Sequence, residues 1–330
     1  MTPPEHAAPR RTARALFLAL LLAGLAAAYR GALGETWARW FPAWPDKDAG
    51  LTHRIFGGDG YYSHGPLILL VSAAIAVAAV RRAEVPIRPR PRLGGAAMLA
   101  ALVVHLAGYV TGSGFLSAAS IVGVLAAFVV MLSGLGALRR LWFALGILLL
   151  AVPLPEAAIV RINSHLRPAA AWAGAGIAGM LGAATVRCGD KVFLESGEWV
   201  LIGDVCSGLR TILSLTAFGA IYAYVSRLPR RGRIVLFAAS LPVALICNVI
   251  RVSGHVIVAD RLGTQAAGAW FHGPSGLAAF ALAVGALIGI ERLMLRAWPQ
   301  TRPSGGKAAR RATQTGTHSP RLEPGNAKAH

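Results

Sequence analysis

DVCSGLRTILSLTAFGAIYAYV, residues 204–225, is the stretch on which the reading of the whole chain turns. It opens on the short segment Asp204-Val205-Cys206-Ser207-Gly208-Leu209-Arg210. It continues as an apolar run, Thr211 to Val225, which with its flanks is long enough to cross a bilayer. The pattern predicts a helix that starts at Cys206. A thiol in a first helical turn meets unpaired backbone N–H groups and the positive end of the helix dipole, and both favour the thiolate. Ser207 and Gly208 are small enough to leave the sulfur open. Arg210, four residues on, adds positive charge over the same helical face. A small thiol can equally well fill a helix contact and do nothing else. The rest of the chain has to separate these two readings.

The chain has 330 residues, 55% of them hydrophobic and 14% charged, with a mean hydropathy of +0.56. A soluble domain carries nearer a quarter charged residues. Apolar runs recur along the sequence and predict an all-α polytopic membrane protein of about eight transmembrane helices. The first run, Ala15 to Tyr29, follows Arg10, Arg11 and Arg14 and resembles a signal peptide; with so many later spans it is expected to be an uncleaved anchor. The next runs are Pro66 to Val80, Leu93 to Val110, Phe115 to Leu135 and Leu141 to Val152, the last ended by Pro153 and Pro155. Ala157 to Val186 reads as a half-polar, small-residue helix at the interface. Val192 to Ile202 reads as an outer-face β-hairpin around Ser196-Gly197-Glu198. Spans six to eight start at Cys206, about Ile234 and about Ser275. The expected organisation is a cytoplasmic tail over 1–14, a membrane domain over 15–298 and a disordered basic cytoplasmic tail over 299–330.

The net charge of +19 would ordinarily suggest nucleic acid as a partner. Its distribution argues otherwise. With a cytoplasmic N-terminus and eight spans, the cytoplasmic segments hold 22 of the 33 basic and 4 of the 14 acidic residues, a net +18. The remainder nets +1. That is the positive-inside pattern, so the basicity belongs to membrane topology and the partner is the lipid bilayer. Both termini are then cytoplasmic. Three cysteines, Cys188, Cys206 and Cys247, form no paired framework and have no metal-ligand spacing, so neither a metal nor a cofactor is expected.

The same topology places Cys206 at the outer face, at the start of span six. Arg251 lies near the outer end of span seven, and His272 just precedes span eight. An ionisable residue within a membrane span is costly and marks a functional candidate. Snorkelling, or pairing with Asp260 or Asp204, would also account for Arg251, and a backbone hydrogen bond would account for His272. The convergence of all three favours a site. A thiolate nucleophile, an imidazole proton shuttle and a guanidinium facing the developing oxyanion make up a machine for acyl transfer at an amide bond.

Val205-Cys206-Ser207-Gly208-Leu209-Arg210, then Asn248-x-x-Arg251, then His272-x-x-x-Gly276 resembles the motif set of the exosortase/archaeosortase family. Tyr62-Ser63-His64-Gly65-Pro66 and Val152-Pro153-Leu154-Pro155 support the resemblance, which runs from about Tyr61 to Leu295. It implies a multi-span cysteine transpeptidase of the bacterial inner membrane, similar to Gram-positive sortases in chemistry but not in fold. Its partners would be membrane-anchored proteins with a C-terminal sorting signal: a Pro-Glu-Pro-type motif, a helix and a basic tail. Cys206 would be the nucleophile, Arg251 the electrostatic stabiliser and His272 the acid/base. Arg210, Asn248, Ser207, Gly208, His64 and Gly276 would support them or bind substrate. Many members have Glu after the histidine, where this chain has Gly273-Pro274.

His255, one turn after Arg251, is a rival base. His64 reads as structural or substrate-contacting, and Cys247 reads as packing. Cys188 is expected to stay free and dispensable. The rival class is a transporter or channel in which Arg251, His272 and Asp204 line a polar pathway, but no internal repeat supports it.

Overall fold

The computed structural model describes residues 8–43, 60–82, 87–203 and 206–297. Asp204, residues 1–7 of the N-terminal tail and the tail from 299 onward lie outside these residues, as does the hydrophilic end of the first loop. The described residues are mostly helical. Helices are α1 (Ala8–Trp40), α2 (Gly65–Arg81), α3 (Pro91–Val110), α4 (Gly114–Ser133), α5 (Leu135–Ile147), α6 (Glu156–Met180), α7 (Leu209–Val225), α8 (Arg230–Leu262), the short α9 (Thr264–Ala266) and α10 (His272–Ala297). A 3-10 turn, Leu148–Ala151, extends α5, and a π turn, Ala267–Phe271, leads into α10.

The exterior identifies the solvent. On α3, Leu99, Val103, Leu106 and Val110 are all exposed, and on α8 so are Ile234, Leu241 and Leu245. Stripes of this kind belong in a bilayer, where helices satisfy their own backbone groups and turn apolar faces outward. The chain is a multi-pass membrane protein.

Helices stand at all eight places read as spans, but their lengths differ. Only α3, α4, α8 and the Pro274–Ala297 part of α10 are long and apolar enough to cross by themselves, among the described residues. The helix ending at Ala151 and α6 would make a fifth span if counted together, and they meet at 76°. Pro153 and Pro155 fall in that break, and each lacks the N–H that would continue the helix. Helices α2 and α7 have 17 residues each. At about 1.5 Å per residue that is about 25 Å, short of the roughly 30 Å hydrocarbon core. The described helices therefore give four to five spans by length and composition, where the sequence suggested eight.

Two boundaries move. Helix α6 stops at Met180 rather than Val186. Gly182 turns into the left-handed region at φ 92°, and the Ala183 N–H returns to the Ala178 carbonyl at 3.0 Å, a closure that only a residue without Cβ makes cheaply. The chain beyond it forms a strand. The small sheet therefore has three strands, β1 (Thr185–Cys188), β2 (Lys191–Leu194) and β3 (Trp199–Leu201), all antiparallel in that order. The expected turn at Ser196–Glu198 joins β2 to β3; β1 is a strand the sequence did not suggest, and its first two residues were expected to end the helix.

Core packing shows what the sheet supports. Val192, Leu194, Val200 and Ile202 form a buried cluster with Ala171 and Ala175 of α6, Val252 and Val256 of α8, and Cys206. A second cluster joins α7, α8 and α10 through Leu215, Leu236, Ala244, Ala283 and Leu287. The carboxylate of Glu291 in α10 accepts hydrogen bonds from the Tyr222 and Ser226 hydroxyls, tying α10 to the end of α7. Helices α1, α3 and α4 share a separate core around Tyr29, Met98 and Ala127.

Candidate active site

Cys206 lies before α7, not in its first turn. The helix begins at Leu209, with Gly208 at its N-cap in the left-handed conformation, φ 90°. Cys206 stands two positions earlier, its N–H bonded to the Gly203 carbonyl at 3.0 Å. Arg210 therefore does not stack over it one helical turn away, as the sequence suggested. The sulfur is also not left open by its small neighbours: Cys206 is 6% exposed and Ser207 1%. The small residues serve approach. A Cβ on Gly208 would stand 2.7 Å from Nδ2 and 2.8 Å from Cγ of Asn248, so only glycine lets this loop reach α8.

Asn248 completes that junction. It is 2% exposed, and its Nδ2 donates to the Cys206 carbonyl at 3.1 Å. One turn further along α8, the Arg251 Nε donates to Ser275 Oγ at 3.3 Å. The Arg251 guanidinium carbon lies 3.7 Å from where a Gly276 Cβ would be. Ser275 and Gly276 belong to the first turns of α10, whose first residue is His272; beyond that backbone position, the side chain of His272 lies outside the described residues. Three residues apart on a helix means one face. From that face Asn248 holds the Cys206 loop and Arg251 holds the start of α10. Thus α8 joins the Cys206 segment to the helix that starts at His272.

His255 lies a further turn along, buried, with its ring 6.1 Å from Phe271 at the end of the π turn. It shares the face of Asn248 and Arg251, and its ring neighbour Phe271 immediately precedes His272, so it lies beside the candidate site.

The two earlier motifs come to the same end of α7. The Tyr62 hydroxyl accepts from the Leu154 N–H at 2.9 Å, pinning the loop before α2 to the Val152–Pro155 break. A Cβ at Gly65 would run into the Trp40 indole, whose Nε1 donates to the Ala151 carbonyl at 2.9 Å. Tyr62 and Leu209 share a buried cluster. Arg210 reaches this side, with Nη2 3.3 Å from Ser63 Oγ. His64 Nδ1 is 3.2 Å from Ser214 Oγ. Its buried Nε2 has no hydrogen-bond partner among the described residues.

A family profile described as transmembrane exosortase (Exosortase_EpsH) matches residues 56–289. The chain belongs to the transmembrane exosortase family. The match spans every motif named above, from Tyr62 to Gly276. No curated protein and no solved structure matches the chain. Two residues of the candidate site escaped the sequence. Ser275, the Arg251 contact, lies just before the motif glycine, and a small polar residue one turn after His272 was the available signal. Ser214, the His64 partner, lies one turn after Arg210.

His64 gives the exosortase a pH dependence. Burial, and secondarily the Arg210 guanidinium, pull its pKa from 6.5 down to about 4. The unfolded chain takes up a proton near 6.5 and the folded chain only near 4, so stability is full above about pH 6.5 and falls as the pH drops through that window. In lipid nanodiscs the thermal midpoint is expected to decline from pH 6.5 to 4, and His64→Phe should flatten that slope. An unchanged slope in the variant would exclude a buried neutral His64.

Proposed function

We propose that this exosortase is a membrane cysteine transpeptidase that cleaves the C-terminal sorting signals of exported proteins through a thioester. The observation that carries the reading is the pair of side-chain bonds from one face of α8, Asn248 to the Cys206 carbonyl and Arg251 to Ser275. They connect the candidate nucleophile to the helix that begins at His272. The charge distribution supports a site at the outer face of the inner membrane with both termini cytoplasmic and up to eight spans. In that frame residues 15–298 form the membrane domain, and the tail beyond it is cytoplasmic.

In the proposed reaction the Cys206 thiolate attacks the carbonyl carbon of the scissile amide. Arg251 stabilises the negative charge on the tetrahedral oxygen. As the C–N bond breaks, His272 gives its proton to the leaving amine, which departs with the substrate's helix and basic tail. An acceptor amine or water, deprotonated by His272, then attacks the thioester and restores the thiol. Substrates on this reading carry a Pro-Glu-Pro-type motif before a single membrane helix. Arg210 and Ser63 border the same end of α7 and would contact the incoming segment.

A thiol-reactive probe tests the nucleophile directly. Cys188 is exposed, whereas Cys206 and Cys247 are buried. Access alone would label Cys188 first. Activation should instead make Cys206 the fastest below the ordinary thiol pKa, with a rate that falls when Arg251 is changed. If Cys206 trails Cys188 at every pH and substrate is still cleaved, the thioester route is wrong. Arg251→Lys should lose nearly all processing as well, since a point charge cannot keep the Nε bond to Ser275 while presenting a planar fork to the oxyanion. Retained processing in that variant would remove Arg251 from the mechanism.

A further inference from the structure

Away from Cys206, α5, α7 and the start of α8 enclose a groove of about 1050 Å³, at the top of the roughly 300–1,000 Å³ range of small-molecule sites. Its walls are apolar, with Phe143 and Ile147 from α5, Tyr224 from α7 and Phe237 from α8. The Tyr224 ring lies flat on Phe143, centroids 3.9 Å apart, and closes the floor. Among the described residues the charged side chains in the lining are two arginines, Arg230 and Arg233, both in the opening turn of α8. Arg233 is anchored there by its Nε, which donates to the Leu228 carbonyl at 3.0 Å. That fixes the direction of a guanidinium with four further N–H donors. Among the described residues no carboxylate lines the groove. The nearest acid of α10, Glu291, is taken up by Tyr222 and Ser226.

The surroundings place this groove at a headgroup level. Trp142, in its lining, is 62% exposed, and tryptophan prefers the membrane–water interface. Arg139 and Arg140 precede it in α5, and Arg227 and Arg231 flank the turn between α7 and α8. This end of the bundle is among its most basic.

We propose that the groove binds one anionic phospholipid, its acyl chains between α5 and α7 and its phosphate on Arg230 and Arg233. Charge decides the occupant. The chain's own C-terminal segment, 298–330, carries six basic residues and one acidic one, so the arginines repel it. A zwitterionic lipid brings an ammonium group to the same place. A phosphate with no compensating cation satisfies both guanidinium groups, as basic pockets between membrane helices do for anionic headgroups. The proposal is independent of the chemistry at Cys206.

Native mass spectrometry of the full-length protein, purified with equal amounts of phosphatidylglycerol and phosphatidylcholine, tests it. The protein should retain phosphatidylglycerol in preference, and each arginine replaced by glutamine should lower that preference by roughly fivefold. Because Arg233 also holds the Leu228 carbonyl, Arg230→Gln alone is the variant that keeps the turn intact, and the double variant should approach parity. Gly146→Leu fills the groove from α5, where a Cβ would meet no other atom within 4 Å, and should reduce retention of both lipids. Equal retention by the wild type overturns the proposal. So does a preference that survives in the double variant, or a dimer that replaces the lipid and dissociates in Gly146→Leu.

Discussion

Cys206→Ala should leave every substrate full-length in the membrane while the enzyme itself accumulates at its normal level. Removal of a nucleophile from an acyl-transfer enzyme lowers turnover by roughly a millionfold, well below what a processing assay detects. The fold should persist. Cys206 is buried beside Val192, Val200 and Val252, and loss of one sulfur from such a cluster costs about 1 kcal/mol. Its carbonyl, the group held by Asn248, is backbone and remains. Cys206→Ser should fail equally, since an alcohol in the same place is a far weaker nucleophile at neutral pH. Cleaved substrate in cells that carry Cys206→Ala would refute the proposed reaction. Immunoblots for substrate and enzyme from the same cells separate this outcome from simple loss of protein.

Gly208→Ala should destabilise the Cys206 loop through two separate costs. The residue has φ 90°, where a side chain costs about 1–2 kcal/mol. The new Cβ would also sit 2.7–2.8 Å from the Asn248 amide, and forced overpacking adds about 1–3 kcal/mol. The two costs differ in kind, and a double-mutant cycle separates them. Asn248→Ala removes the colliding amide but not the backbone strain, so the pair should be less destabilised than the sum of the singles. Asn248→Ala alone leaves the Cys206 carbonyl without its donor, at about 1–3 kcal/mol. Thermal unfolding in nanodiscs, read together with probe labelling of Cys206, measures both effects. A Gly208→Ala protein as stable as the wild type would mean that the loop does not approach α8 as described.

The sequence carried the spacing of the candidate residues better than the fold around them. Asn248-x-x-Arg251 fixes a shared helical face from spacing alone, and Cys206 and His272 each lie at a helix start that apolar runs locate to within a few residues. Tertiary approach was out of reach. Nothing in Ser207-Gly208 distinguishes a glycine that exposes a sulfur from one that lets a loop press on Asn248. The strand Thr185–Cys188 was invisible because Ala157 to Met180 is rich in small helix formers, and the switch rests on a single left-handed glycine, Gly182. The number of spans is hidden for a related reason. Hydropathy registers apolar length, but whether 17 residues cross, tilt or stop short depends on neighbouring helices.

Helix α8 works as a ruler. Asn248, Arg251 and His255 mark one edge of it, and each addresses a different segment of the chain. A single residue inserted between Asn248 and Arg251 would turn everything beyond it by about 100°, swinging Arg251 away from Ser275 while Asn248 stayed on the Cys206 loop. At the turns of Gly189 and Gly197, which join the strands, a Cβ would meet no other atom within 4 Å. Length variation in this molecule should be tolerated in the sheet's turns and forbidden within four residues of α8.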